Sequence, residues 1–301
     1  MNTPVDTLAA ASHERSRARH ENWHLLRRRP SFIIGSIVSL FWITCAILGS
    51  RITPYDPLNY TTKPKLSPSS DHWFGTDKIG RDVFSRVIAG ARDVLVVAPL
   101  AAVLGVVFGT IIGMIMGYRR GWIDLVLSRI VEALLALPVI LIGLLILTLA
   151  ETSPLLGAIT FHSRKMLVIY VVALLFVPIV ARTVRAAVIG ERELDYVTSA
   201  KLRGESGGFI MSREILPNIM GPIVVELTVR IGYAIFTVST LSFLGVGIQR
   251  PSPDWGLAIS DGRDLLRANV WWPVTFPSLA IATLVIGVNL IADAIESVYN
   301  R

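Results

Sequence analysis

Long apolar segments constrain this chain more than any other feature of its sequence. Six of them have about the length of helix that crosses a hydrocarbon core of about 30 Å, and only 17% of the 301 residues are charged. Backbone in lipid must satisfy its own hydrogen bonds, and the alternation typical of barrel strands is absent, so each segment is predicted to be helical. The sequence therefore predicts an all-α integral membrane protein with six transmembrane helices. The predicted spans are 31–50, 94–118, 131–150, 166–181, 219–244 and 274–292.

Basic residues indicate how these spans are oriented. The polar tail at 1–30 carries six arginines, and the apolar segment after it is longer than a signal-peptide core and lacks a small-residue cleavage site. We therefore expect a retained first helix, with the N-terminus and, after six crossings, the C-terminus in the cytoplasm. On this arrangement 16 Lys and Arg residues lie inside and 12 outside, as the positive-inside rule requires. The fourth span is short, so its helix is expected to continue past Arg182.

The sequence divides into a tail at 1–30, a first helix with an extracytoplasmic segment at 31–92, and the remaining helices at 93–297. The first part of the extracytoplasmic segment contains four prolines, which fix φ and remove donors, so it is predicted to be extended and irregular. A short surface helix is predicted at 79–91. Tryptophan is enriched at membrane interfaces, so interfacial anchors are expected at Trp255, Trp271 and Trp272.

Several kinds of chemistry are excluded. The net charge is +7, but no basic patch with interleaved aromatic residues indicates nucleic-acid binding. No Gly-Lys pair occurs, so the phosphate-binding loop of an ATPase is absent, and so are the usual hydrolase motifs. Cys45 is the only cysteine. We predict no catalytic residue, metal site or cofactor in this chain.

The histidines do not change that conclusion. His20 and His24 lie four apart in a charged tail, where solvation is favoured over metal binding. His72 and His162 are each alone in a predicted outside loop, and we expect both to be surface residues.

A glycine ridge runs along the second predicted span. Four glycines recur at every fourth residue and give one helix face almost no side chain, so another helix can approach closely. We interpret the ridge as a packing surface; lining a transport pathway is the alternative. Its members are Gly105, Gly109, Gly113 and Gly117.

Two charges fall within the fifth predicted span. Glu226 and Arg230 are four residues apart with the acid nearer the N-terminus, which is the favourable order for a helical ion pair. Ionisable residues within a span face protein or water. We predict an internal ion pair; a position near the cytoplasmic end, facing water or a partner chain, is the alternative.

The inside loop at about 190–217 is too charged to enter lipid and too short to be a catalytic domain. Its pattern predicts two short helices at about 191–202 and 209–216, with a break at Gly204, Gly207 and Gly208. A compact, exposed, helical loop between two spans is suited to docking a partner.

The same loop resembles the signature of ATP-binding-cassette (ABC) importer permeases. Residues 198–204, TSAKLRG, stand at its Glu-Ala-Ala and glycine positions, and 216–217 stand at its closing Leu-Pro. Thr198 replaces the glutamate, Ser199 the first alanine, and Glu214 the isoleucine.

Further segments resemble the second permease of dipeptide and oligopeptide importers. Residues 74–86, FGTDKIGRDVFSR, are similar to that subfamily's GTDxxGRDxxSR stretch. Residues 241–247 and 253–256 are similar to its SFLGxG…PxWG stretch, and 289–293 also fit. The resemblance covers the chain from about residue 30 and implies a type I ABC importer permease fold, with 93–297 as the permease domain.

The resemblance also implies partners and a mechanism. A homologous second permease would complete the pathway across a prokaryotic cytoplasmic membrane, and an extracytoplasmic binding protein would deliver a di- or oligopeptide. Two ATPase subunits, which hold the ATP and Mg, would dock on the inside loop. The residues implied to couple the chain to an ATPase are Thr198, Ser199, Ala200, Arg203, Gly204, Glu205, Leu216 and Pro217.

Two further questions stay open. Relatives of this type also carry nickel complexes, glutathione or sugars. An ion-coupled transporter would work without ATPases and would depend on Glu226 and Arg230, whereas an intramembrane enzyme would need paired catalytic residues that the spans lack. The outside segments at 74–86 and 251–272 are expected to receive the binding protein.

Overall fold

The structure is a computed structural model that describes residue 26 and residues 29–60, 63–152 and 163–299, and within these ranges it consists of helices and loops. Three consecutive segments, Gly207–Phe209, the π-helical Ile210–Ile215 and Leu216–Asn218, are together called α7. The helices before it are α1 Pro30–Leu48, α2 Val83–Tyr118, α3 Trp122–Leu135, α4 Val139–Thr152, α5 Arg164–Glu191 and α6 Asp195–Leu202. Those after it are α8 Met220–Phe243, α9 Trp255–Gly262 and α10 Trp272–Tyr299.

Five described helices, α1, α2, α5, α8 and α10, are long and apolar enough to cross a membrane, and α3 with α4 makes a sixth if the bent pair is one span. The predicted all-α architecture with membrane-spanning helices is therefore confirmed. Helix α5 continues past Arg182 to Glu191, as expected.

The third predicted span is not one helix. Helices α3 and α4 meet at an angle of 90°, so the prediction of an unbroken helix at 131–150 is wrong. The break precedes Pro138, which lacks an N–H for the helical ladder and disfavours helical backbone at Leu137. Because apolar content is the same on both sides of the break, it did not reveal the bend.

The predicted surface helix at 79–91 is also wrong. Asp82 begins α2 by accepting a hydrogen bond from the Ser85 amide at 2.8 Å, the usual arrangement of an N-cap. The helix then runs without a break into the second predicted span. The charges of Arg92 and Asp93 end the apolar run but not the helix.

The glycine ridge packs directly against α5. A Cβ placed on Gly109 would lie 2.6 Å from Val180 Cβ, and one on Gly113 would lie 2.6 Å from the carbonyl oxygen of Ala181. Gly105 and Gly117 meet α5 in the same way. Real Cβ atoms do not come so close to their neighbours, so only glycine permits this spacing of the two helices.

A charged cluster lies at the N-terminal end of α2 and is defined as Asp77, Lys78, Arg81, Arg86, Arg250 and Asp261. Arg81 donates from Nε to Asp77 at 2.6 Å and from Nη2 to Asp261 at 3.3 Å. Arg250 also donates to Asp261, and Arg86 Nε lies 3.9 Å from Asp77. The cluster thereby ties the segment before α2 to α9.

Two tryptophans are buried beside this cluster. The Nε1 of Trp255 donates to the Val87 carbonyl at 2.8 Å, and that of Trp272 donates to the Thr76 carbonyl at 3.0 Å. Interfacial anchoring is therefore wrong for both, because each fills the interior and satisfies its one donor there. Trp271 is about half exposed.

His72 is buried as well, so the expected surface role is wrong. Its Nδ1 lies 2.8 Å from Asp82 Oδ1, and the imidazole therefore holds the carboxylate that caps α2. His20, His24 and His162 lie outside the described residues.

Asp254 begins α9 from a fully buried position. Its Oδ1 accepts from the Leu257 amide at 2.8 Å. Burial raises the pKa of the Asp254 carboxyl to about 6, since a low-polarity surrounding disfavours the charged form.

The glycine ridge generates a stability prediction. Replacing Gly109 by leucine should lower the thermal stability of the detergent-purified protein, because overpacking of this kind costs about 1–3 kcal/mol. The matched control is Gly190→Leu at the end of α5, where a Cβ meets no described atom within 4 Å. The two melting temperatures are compared by tryptophan fluorescence, and equal losses would contradict the packing role.

The charged cluster generates a second prediction. Asp261→Asn removes the carboxylate that serves Lys78, Arg81 and Arg250, and breaking a buried ion pair costs about 3–5 kcal/mol. The control Asp264→Asn alters a side chain that is 89% exposed and should change stability by less than about 0.5 kcal/mol. Melting temperatures that fall equally in the two variants would show that the cluster does not hold this end together.

Candidate functional site

Helices α6 and α7 form a compact hairpin on the end of α5. Their apolar side chains point toward α5 and share one buried core with it. The members of that core are Val180, Val184 and Val188 of α5, Val197 and Ala200 of α6, Ile210 and Ile215 of α7, Val106 of α2, and Ile219 and Ile223 at the beginning of α8. The hairpin, here called the α6–α7 loop, is therefore fixed to a long helix and is not a free connection.

The turn between the two helices depends on Gly204. Its φ is +79°, its N–H donates to the Lys201 carbonyl at 3.0 Å, and the Glu205 N–H donates to the Ala200 carbonyl at 3.2 Å. This pair of bonds is the Schellman motif, which needs a left-handed residue after the helix. A Cβ on Gly204 would meet no described atom within 4 Å, so backbone conformation alone favours glycine here.

Gly204 is the break that the sequence predicts, but Gly207 and Gly208 are not part of it. Both lie in α7, which begins after Ser206 accepts a hydrogen bond from the Phe209 amide at 3.3 Å. A serine N-cap is enough to begin a helix even where two glycines follow. The prediction of a break at Gly207 and Gly208 is therefore wrong.

The residues predicted to couple this chain to an ATPase differ in solvent exposure. The exposed ones are Thr198, Ser199, Arg203, Gly204 and Pro217, the half-buried ones are Glu205 and Leu216, and Ala200 is buried. Arg203 reaches Glu214 of α7 at 3.4 Å. The buried positions of this set hold the loop together, and the exposed ones form its surface.

The tip of the α6–α7 loop carries an exposed leucine that was not predicted from the sequence. Leu202 is 84% exposed, and Leu194, which precedes α6, and Phe209 of α7 are exposed as well. Exposed apolar side chains on a rigidly held element are typical of a surface that contacts a partner protein. The signal available in the sequence was an apolar residue at the last position of a short helix, directly before the glycine turn.

Polar contacts also hold the α6–α7 loop and its surroundings to α5. Tyr196 donates to Glu191 at 2.6 Å, and burial raises the pKa of the Tyr196 hydroxyl to about 12, so it remains a donor at neutral pH. Arg185 binds both carboxylate oxygens of Asp124, at 2.6 and 2.7 Å. The beginning of α3 is thus attached to α5 near the loop.

The structure brings Glu226 and Arg230 together on α8. Arg230 donates from Nε to Glu226 Oε2 at 2.9 Å, and Thr183 of α5 donates to Glu226 Oε1 at 2.8 Å. The Arg230 guanidinium lies 5.1 Å from the centre of the Tyr233 ring and 5.9 Å from that of Phe176. The hydrogen bond from Thr183 and the two aromatic rings therefore hold this ion pair in one orientation.

A groove of about 480 Å³ lies between α8 and α10. Its lining includes Tyr233 and Phe236 of α8 and Asn289 and Asp293 of α10. The residues of α8 on this face could not be identified from the sequence, because their helical spacing is also that of a lipid-facing stripe.

Comparisons with known proteins agree over most of the chain. Residues 109–301 match the family described as "Binding-protein-dependent transport system inner membrane component". The dipeptide transport system permease protein DppC of Bacillus subtilis (strain 168) is 36% identical over 277 residues, which are 91% of this chain and 82% of the relative.

Two further relatives carry other names. A putative peptide transport system permease protein of Brucella suis biovar 1 is 37% identical over 278 residues, 91% of this chain and 88% of its own. The glutathione transport system permease protein GsiD of Escherichia coli O157:H7 is 37% identical over 280 residues, 92% of this chain and 88% of its own. The chain therefore belongs to the family of inner membrane components of binding-protein-dependent transport systems, the permease subunits of ABC importers.

Proposed function

We propose that this permease pairs with a homologous second permease and carries short peptides into a prokaryotic cell, driven by two separate ATPase subunits. An extracytoplasmic binding protein supplies the peptide. ATP and Mg are held by the ATPases, and this chain contributes the pathway and a docking surface. The names of its relatives support a peptide, and glutathione, which is itself a tripeptide, is the second candidate.

The observation that carries the proposal is the α6–α7 loop. Its inner face is fixed to α5 by a buried apolar core, and its tip presents Leu202 and Arg203 to solvent. A rigid hairpin with an apolar tip fits a groove on an ATPase and passes on any displacement of that groove.

The remaining helices offer a path for that displacement. Motion at Leu202 reaches α5 through the loop core, and α5 passes it to α2 through the glycine ridge. Nucleotide-driven closure of the ATPases would then favour one of two arrangements of the helices. At the opposite end, the charged cluster and the segments 74–86 and 251–272 provide a rigid platform for the binding protein.

This mechanism requires the α6–α7 loop to be cytoplasmic, and with it both chain termini. The arginine-rich tail before α1 and the excess of Lys and Arg on that side support this orientation. An ion-coupled transporter without ATPases is the competing class, and it gives the exposed loop tip no role.

The test is purification of the tagged chain in a mild detergent, with two variants at Gly204. Wild type should co-purify with a second permease and ATPase subunits. Gly204→Val should insert and pair with the second permease, yet lose most peptide uptake while ATP hydrolysis continues. A left-handed backbone costs a residue with a Cβ about 1–2 kcal/mol, and a β-branched side chain tolerates it least.

Gly204→Asn is the matched control, because asparagine adopts the left-handed conformation far more readily. It should keep near-normal uptake and ATPase recovery. Normal uptake by Gly204→Val would remove the coupling role from the loop. Recovery of the wild-type chain with no ATPase, under several mild conditions, would contradict the ABC assignment itself.

A further inference from the structure

Resting on the proposed peptide import, we propose that Arg230 binds the carboxylate of the solute inside the pathway. This assignment narrows the substrate class to solutes with a free carboxylate. Glu226 and Thr183 act as positioning residues that hold the guanidinium for this contact.

The guanidinium of Arg230 makes hydrogen bonds along one edge only. Its Nε donates to Glu226 at 2.9 Å, while Nη1 and Nη2 make no hydrogen bond within the part of the chain that the structure describes. Arginine carries five N–H donors in a planar fork and can bind two carboxylates at once. The edge formed by the two terminal nitrogens is therefore available for a second anion.

Glu226 is itself held in place. One of its oxygens accepts from Thr183 of α5 and the other accepts from Arg230. The ring of Tyr233 lies 5.1 Å from the guanidinium carbon on the other side, a distance at which a cation is attracted to the ring. Arg230 is thus oriented before any ligand arrives, which reduces the entropy lost on binding.

Its position within the helix is that of a pathway residue. Arg230 lies about 15 Å along α8 from Met220, at a rise of about 1.5 Å per residue. An ionised pair this far into a span is costly against lipid, so its face turns to protein or to water. The Arg230 side chain is 12% exposed, and Tyr233, whose ring lies against the guanidinium, is more than half exposed.

A purely structural pair accounts for these features less well. A buried ion pair stabilises a fold only when its remaining donors are also satisfied, and here the terminal edge of the fork is open. The partner that complements this edge is an anion of carboxylate geometry with an apolar body that contacts Tyr233. A short peptide has both, whereas a carboxylate of the second permease is the competing occupant.

The test is uptake into proteoliposomes that contain the full complex and the binding protein, with an equimolar dipeptide library as the probe. The diagnostic variant exchanges the two charges, Glu226→Arg with Arg230→Glu. It keeps an ion pair on α8 but places an anion at position 230. We expect it to assemble with the second permease and the ATPases and to lose peptide uptake at least about tenfold. Wild-type uptake by this exchange variant would overturn the proposal and show that Glu226 and Arg230 form a purely structural ion pair.

Arg230→Lys keeps the charge and the pair but not the fork. It should also reduce uptake about tenfold, since lysine cannot bind a carboxylate with two parallel donors. Unchanged uptake would contradict the proposed contact. Loss of the second permease from Arg230→Gln during purification would also contradict it, because the open edge would then serve the subunit interface. A wild-type complex that imports no peptide would instead refute the proposed function on which this inference rests.

Discussion

The close approach of α2 and α5 along the glycine ridge is the contact on which the rest of the structure depends. Helix α5 holds the beginning of α3 through Arg185, the ion pair of α8 through Thr183, and the α6–α7 loop through Val184 and Val188. None of these contacts would keep its geometry if α5 moved by the width of a methyl group. In lipid the hydrophobic effect does not bring helices together, so this close packing between small residues fixes α5.

The two ends of the bundle achieve rigidity in different ways. The α6–α7 loop relies on a small apolar core, which leaves its outer surface available for a partner. The opposite end relies on buried charges and on tryptophan donors that link the segment before α2 to α9 and α10. Buried ion pairs add little net stability but penalise other arrangements strongly. Such a cluster suits a platform that must keep one shape while the helices beneath it move.

The sequence predicted the features that follow from local chemistry. Apolar length identified the spans, the four-residue glycine period identified the contact surface of α2, and Gly204 identified the turn. It did not predict features set by distant contacts. Tryptophan is common at membrane interfaces and histidine on protein surfaces. Trp255 and His72 are buried because the fold brings their hydrogen-bond partners, Val87 and Asp82, next to them.

The misplaced helix boundaries have a related cause. Hydropathy measures whether a segment prefers lipid, and it does not register where a helix bends or where it continues beyond lipid. The bend before Pro138 and the extension of α2 down to Val83 are both of this kind. The exposure of Leu202 was not predicted either, because a leucine in a short amphipathic helix usually points to the core, and its position directly before the glycine turn was the one sign that it would not.

We propose that the tip of the α6–α7 loop is seated on an ATPase. Site-specific photo-crosslinking tests it most directly, with the crosslinking residue placed at Leu202 in one protein and at Asp264, at the opposite end, in the other. We expect a crosslink from position 202 to the ATPase that changes in yield when ATP is added, and no such crosslink from position 264. A crosslink to the ATPase from position 264, with none from position 202, would contradict it.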